Sequence, residues 1–147
     1  MSKTKKSRKL VDVGKSEYEP KYSLWDLPTA AQRVSEGLSP LLLERVRSQL
    51  GLSYVELSRI LQIPQRTLAR RKTEDKLSPD ESERVLRIAR LAEMATSVFG
   101  SSEEASAWMK EPNFALGEKT PLEYARTEPG AELVENVLIR IDHGIPV

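Results

Sequence analysis

From residue 24 onward a Ser or Thr is followed three residues later by Glu four times: Ser53 with Glu56, Ser78 with Glu81, Ser101 with Glu104, and Thr120 with Glu123. Such pairs satisfy the free amides at a helix start, the hydroxyl accepting from one and the carboxylate from the other. Pro79 and Pro121 follow two of them directly, and Ser39-Pro40 repeats that signal upstream. Gly37, Gly51, Gly100 and Gly144 stand where apolar stripes stop, as helix ends favour. A chain punctuated in this way is restricted to a series of short helices.

The apolar spacing agrees. Leu42, Leu43, Val46 and Leu50 form one helical stripe, and Val55, Leu57, Ile60 and Leu61 a second. Val85, Ile88, Leu91, Ala92 and Ala95 share a face of a long helix, then Ala105, Trp108 and Met109 mark a short one. Val134, Val137, Leu138 and Ile141 line the last, expected from about Pro129 to Asp142. No alternating stretch of useful length occurs, so the fold class is all-α. With two Phe and two Trp in 147 residues, Phe99, Trp108 and Phe114 are expected inside the core.

Charge is distributed unevenly although the net value is only +1. Residues 45–76 hold eight Lys/Arg against three Asp/Glu, whereas residues 77–147 hold seven against thirteen. A basic middle beside an acidic C-terminal half suggests two jobs on one chain. Three parts are expected: a flexible basic arm over 1–23, a helical unit over 24–76, and a second helical unit over 77–147. Lys3, Lys5, Lys6, Arg8 and Lys9 of the arm suit phosphate contact and equally a solubilising tail.

The basic middle has a particular form. A capped helix from Ser53 to Leu61, a turn at Gln62–Ile63 and a second helix from Pro64 to about Thr73 match a helix-turn-helix. Leu57, Ile60, Ile63 and Leu68 can lock the two helices together. That leaves Gln65, Arg66, Thr67, Arg70 and Arg71 facing out, with Lys72 behind them. Arg pairs bidentately with guanine and Gln with adenine, while Thr, Arg and Lys hold phosphates. Gln62 occupies the turn position where glycine takes a left-handed backbone more easily.

Other chemistries lack their residues. His143 is the only histidine and there is no cysteine, which excludes a Ser–His–Asp triad, a paired-histidine metal site and a disulfide within a chain. No glycine-rich phosphate loop exists, and no run of about 18 apolar residues reaches across a membrane. The basic N-terminus lacks the apolar segment of a secretory signal. A cytoplasmic protein with no enzymatic activity, metal or cofactor is expected.

From Leu77 onward the landmarks run Leu77-Ser78-Pro79, Glu81-Ser82-Glu83-Arg84, Val98-Phe99-Gly100, and Ala105 with Trp108. Pro112-Asn113, Ala115-Leu116-Gly117, Thr120-Pro121-Leu122, Gly130-Ala131 and His143-Gly144 complete the order. This succession resembles the toxin-binding domain of Xre/MbcA/ParS-type antitoxins, and Arg66-Thr67-Leu68-x-Arg70-Arg71 resembles their helix-turn-helix. The family often has a second glycine after Ala115-Leu116-Gly117, where this chain has Glu118. The resemblance implies a bacterial type II antitoxin whose partner is a RES-domain toxin, an enzyme that depletes NAD, encoded by the adjacent gene. It implies binding to operator DNA, repression of the shared operon, a homodimer and a larger complex with toxin. It also implies that the C-terminal segment, His143, Gly144, Ile145, Pro146 and Val147, blocks the toxin's active site. Three alternatives stay open: a repressor whose C-terminal half only dimerises, an interaction protein whose helix-turn-helix is vestigial, and an antitoxin to a toxin of another class.

Overall fold

Ser53 Oγ accepts from the Glu56 amide at 3.0 Å while the Glu56 carboxylate accepts from the Ser53 amide at 2.8 Å. The same reciprocal pair forms between Ser78 and Glu81 and between Thr120 and Glu123. At Ser101 only the hydroxyl half of the pair is made, from the Glu104 amide. These caps set the helix starts of a computed structural model that describes residues 21–146.

The described residues form α1 (Leu27–Glu36), α2 (Leu41–Leu50), α3 (Tyr54–Leu61), α4 (Gln65–Arg71) and α5 (Pro79–Phe99). They continue with α6 (Ser102–Lys110), α7 (Pro121–Tyr124) and α8 (Glu128–Asp142). Short 3-10 turns cover Tyr22–Leu24 and Phe114–Leu116, and no strand is present among the described residues. Two α-helix caps carry no Ser/Thr-x-x-Glu signature: Asp26 accepts from the Thr29 amide ahead of α1, and Thr127 from the Gly130 amide ahead of α8.

The long helix α5 organises the rest. Its buried face of Val85, Leu86, Ile88, Ala89, Leu91, Ala92 and Ala95 packs against α2, α6 and α8, with α1 and the first 3-10 turn alongside. Removing any one large side chain from such a core costs about 2–5 kcal/mol. The stripes expected on α2 and α8 are buried, apart from half-buried Ile141.

The structure corrects the expectations at several points. Most of the arm expected over 1–23 lies outside the described residues, but Tyr22 is buried and Ser23 donates its amide to Glu93 of α5 at 2.7 Å. The core is continuous across the boundary expected at 76/77. Leu38 donates its amide to the buried Ser82 hydroxyl at 2.8 Å and accepts from the Leu77 amide at 2.8 Å. Val55 is 59% exposed, because the buried face of α3 is turned to Leu57, Ile60 and Leu61. Phe99 and Trp108 pack on the edge of the core with ring centroids 5.5 Å apart. Phe114 does not join them. It is 84% exposed, since the turn that carries it buries Leu116 instead.

Candidate nucleic-acid interface and C-terminal segment

The helix pair α3–α4 is closed by apolar contact and by the turn between them. Leu57, Ile60, Leu61, Ile63 and Leu68 are buried. Gln62 takes a left-handed backbone, φ 58° and ψ 42°, which sends the chain from α3 into Pro64. Ser58 fixes this turn twice, its hydroxyl donating to the Ile63 carbonyl at 2.6 Å and its carbonyl accepting from the Ile63 amide at 3.1 Å. Arg84 of α5 donates to the Gln62 carbonyl at 3.2 Å.

The residues expected to face DNA separate into groups. Gln65 and Arg66 are exposed and make no side-chain hydrogen bond among the described residues. Thr67 is half-buried. Arg70 is exposed with a loose ion pair to Glu74, Nε to Oε2 at 3.6 Å.

Arg71 departs from the outward-facing expectation. Its Nε and Nη2 donate to both Glu81 oxygens at 2.8 and 2.9 Å, and Nη1 donates to Glu74 at 2.7 Å. Its hydrogen bonds to Glu81 raise the guanidinium pKa, and the same bonds hold the Glu81 carboxyl below the ordinary carboxylate value. Glu81 is thus a helix cap and an ion-pair partner together.

Lys72 ends α4 with its ammonium 4.3 Å from the centre of the Tyr54 ring, while the Arg47 guanidinium lies 4.7 Å from the same centre. Tyr54 donates its hydroxyl to Glu44 at 2.6 Å, and Arg47 pairs with Glu44. Bonds from Arg47 and then Tyr54 lower the Glu44 carboxyl to about 2. Arg71, Lys72 and Arg47 are therefore held in place by groups of α2, α3 and α5. Sequence reading missed Tyr54, Arg47 and Arg84 here. Only Arg84 carried a signal, as part of the landmark Glu81-Ser82-Glu83-Arg84.

After α8 the chain turns back on itself. Gly144 is left-handed at φ 70°, its amide donating to the Ile141 carbonyl at 3.0 Å and the Ile145 amide to Arg140 at 2.8 Å. These two bonds are the Schellman pattern of a helix end. His143 Nδ1 lies 2.8 Å from the Ile139 carbonyl, which requires the proton on that nitrogen. His143, Gly144, Ile145 and Pro146 are all exposed, and Val147 lies outside the described residues. Among the described residues no cluster of His, Asp or Glu could hold a metal ion, and no helix is long and apolar enough to cross a membrane.

Residues 29–90 match the model of the antitoxin Xre-like helix-turn-helix domain. Residues 94–144 match the antitoxin Xre/MbcA/ParS C-terminal toxin-binding domain. Three curated relatives are each named antitoxin Xre. The one from Pseudomonas putida is 33% identical over 143 residues, covering 92% of this chain and 89% of its own length. Those from Yersinia enterocolitica and Photorhabdus laumondii are 32% and 34% identical over 114 residues, covering 76% of this chain and 77% of their own.

Proposed function

The chain belongs to the Xre antitoxin family, with a helix-turn-helix domain and a toxin-binding domain, and from that premise we propose how each part acts. The partner is a RES-domain toxin, encoded by the adjacent gene, that depletes NAD. The C-terminal segment from His143 to Val147 enters and blocks its active site. α4 reads operator DNA through Gln65, Arg66 and Arg70, so that the chain represses its own operon as a cytoplasmic homodimer and within a larger toxin complex.

The observation that carries the first part is the exposed hook after α8. An apolar Ile145, 48% exposed, is held in one direction by backbone bonds and a side-chain bond from Arg140. A segment already ordered loses less conformational entropy on entering a cleft than a loose tail does. The acidic balance of residues 77–147 supports binding to a cationic protein surface and not to anionic DNA. The second part rests on the bare cation and amide at the start of α4, the types that read guanine and adenine edges.

Intracellular NAD, measured in cells expressing the adjacent reading frame with and without this chain, tests the reading. A collapse of NAD that the chain prevents is the expected result. Toxicity with NAD intact would replace the RES partner by a toxin of another class. A harmless neighbour would leave a repressor whose C-terminal half only dimerises.

A further inference from the structure

Both ends of α4 are fastened to the same helix. At its C-terminal end Arg71 grips both oxygens of Glu81, and at its N-terminal end Arg84 holds the Gln62 carbonyl in the turn. Glu81 and Arg84 lie three residues apart on α5 and so share a face. α4 has seven residues and buries only Leu68, too little to hold its own direction. The Arg71 side chain is 18% exposed and that of Glu81 11%. Turning Arg71 toward a phosphate would leave Glu81 as an uncompensated, mostly buried carboxylate, which is strongly unfavourable. Arg71 also faces a second carboxylate, Glu74, so its neighbourhood repels an anion.

We propose that the Arg71–Glu81 pair, together with Arg84 on the turn, aims the recognition helix, and that Arg71 is a positioning residue and not a DNA contact. This rests on the reading of α4 as the DNA-binding helix. Gln65 and Arg66 then read bases only because α5 fixes where they point. The sign of one substitution separates this from plain electrostatics. Glu81→Gln removes a negative charge near the helix, which by charge alone strengthens binding to any DNA. Positioning demands the opposite for the cognate site alone.

The test uses the full chain and two duplexes: the promoter region upstream of its own reading frame, and a scrambled duplex of equal length and composition. Dissociation constants are measured over a salt series, well below the melting midpoint, with helicity checked by circular dichroism. For the wild type, tighter binding to the promoter duplex is expected. Glu81→Gln should weaken promoter binding by about tenfold, the scale of one lost base contact, while scrambled-duplex binding does not weaken. Arg71→Ala added to Glu81→Gln should cause no further loss, because the two act as one unit. Arg84→Met removes a cation and by charge alone weakens binding to both duplexes alike. Positioning therefore predicts a larger loss on the promoter than on the scrambled duplex, and that excess decides the matter if Glu81→Gln does not fold.

Unchanged or tighter promoter binding by Glu81→Gln overturns the proposal. So does a further loss from Arg71→Ala with the salt slope reduced by about one, the mark of a phosphate contact. A wild type that cannot tell the two duplexes apart overturns the DNA-binding reading itself, and the proposal with it.

Discussion

Arg140 donates from Nη2 to the Pro146 carbonyl at 3.0 Å, closing the segment after α8 onto the helix it leaves. The backbone bond from the Ile145 amide to the Arg140 carbonyl, 2.8 Å, spans the same turn. Sequence alone marked Gly144 as a stop. The direction in which the following residues leave comes from these two bonds.

Deleting residues 145–147 removes both bonds but no buried side chain of the described core. The thermal midpoint is expected to fall by no more than about 4 °C, the scale of a 1 kcal/mol change. Protection against the toxin should be lost outright. A truncated chain that still protects would place neutralisation elsewhere in the C-terminal half.

Replacing a glycine within a helix by alanine ordinarily stabilises it by about 1 kcal/mol. At Gly130 the sign should reverse. A Cβ there would sit 1.8 Å from the Tyr124 carbonyl oxygen and 2.8 Å from its carbon, both backbone atoms at the corner between α7 and α8. Gly130→Ala should destabilise the protein by about 3 kcal/mol, the scale of severe overpacking. Urea midpoints read this directly, and an upward shift would mean that the corner yields.

Gln62 and Glu118 adopt φ of 58° and 66°, the left-handed region that disfavours side chains. Both are exposed. Gln62→Gly and Glu118→Gly should each stabilise the chain by about 1 kcal/mol, the steric cost of that conformation. Differential scanning calorimetry should show a higher midpoint for both. A lower midpoint for Glu118→Gly would show that its side chain, and not its backbone, matters in that loop.

The Glu81 carboxyl is lowered by its bonds to Arg71 and, against burial, by the Ser78 amide. A lowered folded pKa means that the unfolded chain binds more protons near pH 4, so stability rises with pH there. The contribution is complete above the unfolded value of 4.5 and is lost as pH falls through the folded value. Urea unfolding of wild type and Glu81→Gln from pH 7 to pH 3 should give a difference that shrinks on acidification. A difference independent of pH would mean that Glu81 acts through shape and not through charge.

Local rules carried much of the fold. Each Ser/Thr-x-x-Glu pair spans one helical turn, so the residues that make the cap are the residues that announce it. The apolar stripes of α2, α5 and α8 were legible because a helix repeats every 3.6 residues whatever it packs against. Even the two strained backbones fell where a glycine was noted as missing, at Gln62 and Glu118.

What the letters left open was decided across elements. Arg66 and Arg71 are the same residue type on the same short helix. One is bare and the other is bound to Glu81, because the start of α5 packs beside the end of α4 and not its beginning. Phe114 and Phe99 were indistinguishable as scarce aromatics, yet the tight turn around Asn113–Lys119 buries Leu116 and leaves Phe114 in water. Lys72 gained an aromatic platform from Tyr54, eighteen positions away. The sequence by itself determined where helices begin, end and turn their apolar faces, since those depend on neighbours within four residues. Which of the α4 cations stay free to meet a partner was set by the tertiary structure, because the Glu81 carboxylate that grips Arg71 and the Tyr54 ring beneath Lys72 come from other helices.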